Sequence, residues 1–135
     1  MFYFSFSLQL ITWNVAIQFP DSLNLSCLLD GVSPDLVLFG LQEVKSQPQN
    51  LLADNLLAGE DPWTSRLRSD LTRLGYVKVK SIRLVGIVLS LFCLSKHIGH
   101  IRGNIRKLSL TLYYCILSTR AGDPILSPGV WRLLG

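Results

Sequence analysis

The sequence predicts an α/β fold, and three observations carry that reading. Residues 36–44, LVLFGLQEV, form a near-continuous apolar run of strand length, the pattern of a strand covered on both faces. Leu67, Leu71 and Leu74 recur at i, i+4 and i+7, which marks one face of a helix. From Tyr76 the period changes to two, and a second apolar run, IVLSLFCL, follows at 87–94. Strands of this kind need helices over them, so layers of sheet and helix are expected.

Taken in order, SLQLITWNVA at 7–16 is rich in β-branched and aromatic residues and reads as a strand with Asn14 near its end. Asp21 or Ser22 can cap a short helix through SLNLSCLLD, which Gly31 ends. Ser33-Pro34-Asp35 is a turn, because proline fixes φ and disfavours helix in the residue before it. LVLFGLQEV is the next strand. Residues 49–58 read as a helix with Leu51, Leu52, Leu56 and Leu57 as its apolar stripe. Asp61-Pro62 opens another helix, since proline suits the first helical position, and Gly75 stops it.

Beyond Gly75, strict alternation puts Val77, Val79 and Ser81 on one face of a strand and Lys78 and Lys80 on the other. Gly86 marks a hairpin turn or bulge before IVLSLFCL. The order up to about residue 102 is therefore β-α-β-α-α-β-β. Residues 104–118 suit one strand or a short helix, and the remaining tail is rich in turn formers without a period. The expected division is a folded portion at 7–103 and a divergent tail at 104–135 outside it.

Hydrophobic residues make up 49% of the chain and charged residues only 16%, against about 25% charged in ordinary soluble domains. Disorder is excluded by that balance. Either a large fraction is buried or some apolar surface awaits its cover, in keeping with a mean hydropathy of +0.37. The net charge of +4 comes mostly from the tail after Gly103, and no basic stripe interleaved with aromatics appears before it. Nucleic acid is therefore not the expected partner.

Cys27, Cys93 and Cys115 stand far apart, without zinc or redox spacing, and read as small buried hydrophobes in a reducing compartment. MFYFSFSLQLI lacks the basic start and small-residue cleavage site of a signal peptide. The longest apolar run, 84–94, is about half of a membrane span. The expectation is a cytoplasmic chain, with peripheral attachment to membranes left open.

Two of the strands end in polar groups, Asn14 on the first and Gln42-Glu43 on the second. In layered α/β architectures ligands collect where strands end, because side chains there leave the core for a crevice. A buried charge costs several kcal/mol by rough estimate unless it is paired, hydrogen-bonded or bound to a metal. A carboxylate beside an amide offers hard oxygens of the kind Mg²⁺ takes. Taken singly, such a glutamate is ordinarily solvated or salt-bridged, and such an asparagine is an ordinary turn residue. Arg83, Lys96, His97, His100 and Arg102 suit either an edge facing anionic head groups or a solvated loop. His97 and His100 are three apart with no further ligand motif, which speaks against a metal there.

TWNVA, followed some twenty residues later by PDLVLFGLQEV, resembles the opening of the endonuclease/exonuclease/phosphatase superfamily. GYVKVKSIRLVGIVLSLFC is similar to one branch, the inositol polyphosphate 5-phosphatases, which carry W-N-V/A, G-L-Q-E and then V-x-S-x-R-x-x-G-I-x-L. The resemblance covers residues 8–103. It implies a four-layered α-β-β-α sandwich, present here incompletely, and Mg²⁺-dependent hydrolysis of the 5-phosphate of phosphoinositides or soluble inositol phosphates. It also implies that Glu43 and Asn14 are catalytic and metal-binding, with Gln42 in support. Lys96 and Arg102 are the candidate substrate contacts.

After HIRG the resemblance stops. The T-R-T-G, W-G-N-K-G, N-x-H-L, G-D-L-N-x-R and S-D-H-x-P segments of the family do not occur, and the water-orienting aspartate and phosphate-binding histidines belong to them. The expectation is the N-terminal portion of a catalytic domain, truncated and inactive or very weak alone. Two other functions stay open. One is a non-catalytic module that uses the 96–102 edge on a membrane or protein. The other is a nucleic-acid phosphodiesterase of the same superfamily, which the near-neutral balance before Gly103 disfavours.

Overall fold

In the computed structural model, which describes residues 5–17, 20, 25–29, 31–45, 60–84, 86–101 and 125–132, the apolar runs are strands. They are β1 (Ser5–Asn14), β2 (Leu36–Gln42), β3 (Tyr76–Leu84), β4 (Ile87–Leu94) and β5 (Ile125–Arg132). Helix α1 is Pro62–Arg73 and α2 is the short Ile98–Ile101, with 3₁₀ turns at Leu25–Leu29 and Ser95–His97. The five strands form one sheet in the order β3-β4-β2-β1-β5. β1 and β2 run parallel, with Asn14 opposite Gln42, and the other pairs are antiparallel. Parallel pairing places both carboxyl-terminal strand ends side by side, and this is what the fold supplies to the site.

β2 lies in the middle of the sheet, which explains its unbroken hydrophobicity. Val37, Phe39 and Leu41 face Leu67 and Leu71 of α1, whereas Leu36 and Leu38 join Leu89 and Leu91 on the opposite face. The α/β class is as the sequence predicts. The described residues provide one sheet with α1 over one face.

Helix α1 begins as its sequence requires. The Asp61 side chain accepts the Thr64 N–H at 2.9 Å, and Pro62 takes the first turn, where its missing donor costs nothing. Three hydroxyls fill the polar gap beneath the helix. Thr64 Oγ1 lies 3.0 Å from Ser90 Oγ and 3.3 Å from Ser81 Oγ, and the two serines are 2.9 Å apart. Each satisfies another, so Thr64 and Ser90 can be fully buried. Glu60 pairs with Arg68 and with Lys78, tying the start of the helix to β3.

Several expectations need correction or completion. Alternation along β3 is broken by a bulge between Lys78 and Lys80. The extra residue inverts the faces beyond it, so Ser81 turns toward Thr64 while Val77, Val79 and Ile82 pack on the other side. Cys93 is buried as expected, but Cys27 is exposed on its 3₁₀ turn, and Cys115 lies outside the described residues. The helix expected at 49–58 also lies outside them. In the tail, β5 pairs antiparallel with β1 although its sequence, ILSPGVWR, has no clear strand period. β5 occupies the sheet edge, and an edge position tolerates a proline that an inner strand would reject.

Candidate active site

The ends of β1 and β2 bring Asn14 and Glu43 into contact. Asn14 Nδ2 donates to Glu43 Oε1 at 2.8 Å, and Asn14 Oδ1 accepts the Ala16 N–H at 2.9 Å. The second bond fixes the amide orientation, since a backbone N–H can only meet the oxygen. The amide is thereby aimed with its donor toward the carboxylate. Trp13, one residue earlier, meets Trp63 of α1 edge to face at 5.4 Å between centroids, which holds the end of β1 on the helix.

Register alone would not make this contact. Asn14 pairs with Gln42, so those two share a face and the next residue along β2 belongs to the other. Glu43 departs from the strand with φ +54, and its side chain turns to the asparagine. Ala16 and Ile17 also have positive φ, at 47 and 63. Such conformations cost about 1–2 kcal/mol each in non-glycine residues, and a β-branched residue such as Ile17 rarely adopts them. They persist because Val15 N–H donates to Gln42 O and Ile17 N–H to Glu43 O, both at 2.9 Å. Strain gathered at two strand ends is the form that functional sites take.

The donor set suits a hard divalent cation in part. Glu43 is exposed, and with Oε1 engaged by Asn14 its second oxygen, Oε2, has no partner among the described residues. One carboxylate, with water and phosphate oxygens completing the shell, is the manner in which Mg²⁺ is commonly held. Among the described residues no group of three His, Cys, Asp or Glu side chains gathers that could hold a metal by itself. Gln42 lies at the last position of β2, and its carbonyl anchors the end of β1.

The basic positions divide between the two ends of the sheet. Arg83 pairs with Val88 near the β3–β4 turn, at the Glu43 end. Lys96 and His97 follow β4, whose Cys93 pairs with Leu36 at the opposite end. The six steps from Leu36 to Gln42 span about 20 Å, beyond the reach of a lysine side chain. Lys96 therefore does not line the Glu43 site, and Arg102 lies outside the described residues. His100 is exposed on α2, at the far end with Lys96.

At that far end the structure shows a cluster that sequence reasoning missed. Asp35 Oδ2 accepts from both the backbone N–H and the hydroxyl of Ser7, at 2.9 and 2.8 Å, and Asp35 Oδ1 lies 2.7 Å from His97 Nε2. Ser7 Oγ accepts the Asp35 N–H in return. Burial pushes the Asp35 carboxyl up, but the two Ser7 bonds and His97 outweigh it and hold the group below its ordinary value. The aspartate sits between serine and histidine, so His97 does not reach the Ser7 hydroxyl as a base, and the arrangement fastens strands. Its one sequence signal is an acid directly after the Ser33-Pro34 turn and before an apolar strand.

The model of endonuclease/exonuclease/phosphatase family 2 matches residues 11–111. Inositol polyphosphate 5-phosphatase K of Mus musculus is 35% identical over 103 residues, which cover 73% of this chain and 21% of that protein. Phosphatidylinositol 4,5-bisphosphate 5-phosphatase A of Homo sapiens is 31% identical over 103 residues, covering 72% of this chain and 10% of that protein. The chain thus spans about a fifth or less of these curated relatives. Among solved structures, it is similar to the inositol polyphosphate 5-phosphatase domain of a synaptojanin in complex with inositol (1,4)-bisphosphate and calcium ion. The TM-score is 0.54 at 19% identity, over 73% of this chain and 30% of that one. A Cimex nitrophorin mutant in its ferrous NO complex gives a TM-score of 0.50 at 24% identity, over 69% of this chain and 32% of that one. At those identities the two structural likenesses show the fold alone.

Proposed function

The chain belongs to the endonuclease/exonuclease/phosphatase family, and on that premise we propose that it carries one wall of a divalent-metal-dependent phosphoesterase site of the inositol 5-phosphatase kind. The observation that supports this best is the bond from Asn14 to Glu43 across two parallel strand ends. The relatives named as 5-phosphatases match over most of the chain, and the family model spans both residues. The substrate class is a phosphoinositide or soluble inositol phosphate bearing a 5-phosphate.

Each residue has a distinct part. Glu43 presents Oε2 as the anionic oxygen that would hold Mg²⁺. Asn14 fixes Oε1 and so sets the direction of the carboxylate. The Gln42 carbonyl joins the two strand ends through Val15. Mg²⁺, when bound, supplies positive charge that offsets charge on the phosphate and on the leaving oxygen.

The 135-residue chain by itself turns over weakly in this account. One carboxylate engaged in ligation cannot also take a proton from water, and Asn14 contributes no charge to the phosphate. The test is phosphate release from phosphatidylinositol 4,5-bisphosphate and from a soluble inositol trisphosphate, beside a full 5-phosphatase domain. We expect release far below that of the full domain, requiring Mg²⁺ and lost in Glu43→Gln. Release that persists without Mg²⁺ or in Glu43→Gln overturns the site. Turnover near that of the full domain overturns the claim of weakness.

A further inference from the structure

We propose that Arg83 is a positioning residue for Glu43, holding from the β3–β4 turn the backbone that aims this carboxylate. The inference rests on the reading of Glu43 as the metal-holding group. Its basis is the way the chain is gripped from residue 42 to residue 45. Gln42 O and Glu43 O accept from Val15 and Ile17 N–H on the β1 side. On the other side, Val44 N–H donates to Gly86 O at 3.0 Å, and Arg83 Nη2 donates to Lys45 O at 3.3 Å. Two elements thus clasp the one residue of this stretch whose backbone is left-handed, Glu43 at φ +54.

The β3–β4 half of this clasp is specific in its chemistry. Gly86 has φ +71, which a glycine adopts without cost and which directs its carbonyl at Val44. Val44 is buried beside Leu41 and Val88, so the segment leaves Glu43 toward the α1 face while the carboxylate meets Asn14. Arg83 closes the exit at Lys45. It makes no ion pair among the described residues, and its planar fork reaches from β3 to a carbonyl just beyond the end of β2. Without the Arg83 contact the stretch keeps its three backbone bonds but loses the one at Lys45, and the 43–45 segment opens more often toward an extended backbone. Alternation would then carry the carboxylate away from Asn14.

The test uses the full 135-residue chain and two readouts. The first is amide hydrogen exchange at Val44 and Ile17, compared with Leu67 in α1. The second is Mn²⁺ binding followed by electron paramagnetic resonance. In Arg83→Gln we expect Val44 and Ile17 to exchange about tenfold faster with Leu67 unchanged, and Mn²⁺ to bind about three- to tenfold more weakly. Arg83→Lys, which keeps the charge but not the fork, falls between. Unchanged exchange at Val44 overturns the proposal. So does a uniform acceleration that includes Leu67, which would mark Arg83 as a general stabiliser. If Mn²⁺ binding survives Glu43→Gln, the metal reading fails, and the local exchange pattern still decides whether Arg83 holds Glu43.

Discussion

Asn14 donates its amide to Glu43 at 2.8 Å, although the strand register pairs it with Gln42. The contact exists because the chain turns left-handed at Glu43 and is fastened there by backbone bonds from β1. A neutral donor against a carboxylate is a holding arrangement. Asn14→Asp replaces it with two like charges at hydrogen-bond distance. We expect the metal-free variant to melt several degrees lower, corresponding to about 1 kcal/mol, and Mg²⁺ to raise its Tm more than that of the wild type. Thermal scans with and without Mg²⁺ read both effects.

The cap of α1 is a separate element of stability. Asp61 is buried and accepts the Thr64 N–H, so Asp61→Ala removes the bond and leaves that donor unpaired. The expected cost is about 0.5–2 kcal/mol, read as a lower urea midpoint at unchanged slope.

The clasp at the far end of the sheet gives stability a pH dependence. Asp35 is held below its ordinary value by Ser7 and His97 acting against burial. A carboxyl with a depressed folded value stabilises the fold above its unfolded value and loses that contribution as pH falls through the folded one. Asp35→Asn has no such group. The stability advantage of the wild type over Asp35→Asn should therefore be full at neutral pH and shrink below about pH 4, measured by urea unfolding across that range. An advantage constant down to pH 2 would contradict it.

Two cysteines should differ in reactivity. Cys93 is fully buried in the sheet, and burial pushes its thiol up, whereas Cys27 is exposed. Maleimide labelling followed by peptide mapping should modify Cys27 well before Cys93.

The sequence made β2, α1 and β4 legible because each carries strong local signals that agree. β2 and β4 are buried on both faces, and α1 has a cap, a first-turn proline and a leucine stripe. Less legible were features set by tertiary contact. The β3 bulge has no local mark and moved Ser81 to the helix face. β5 is a strand because the edge of β1 pairs with it, not because ILSPGVWR alternates. At the site, the residue types Asn14 and Glu43 were readable from two polar strand ends. Their contact was not, because alternation sets them on opposite faces and only the left-handed turn at Glu43 brings them together. The division of basic residues between the sheet ends was likewise hidden until the antiparallel pairing of β2 with β4 fixed their direction.

The central claim is that Glu43, aimed by Asn14, holds a divalent cation. Mn²⁺ titration of the wild-type chain beside Glu43→Gln and Asn14→Ala, with folding checked by circular dichroism, tests it most directly. The account predicts one weak site in the wild type, its loss in Glu43→Gln, and a drop of about tenfold in Asn14→Ala as the carboxylate loses its orienting bond. Equal Mn²⁺ binding by all three folded proteins would contradict it.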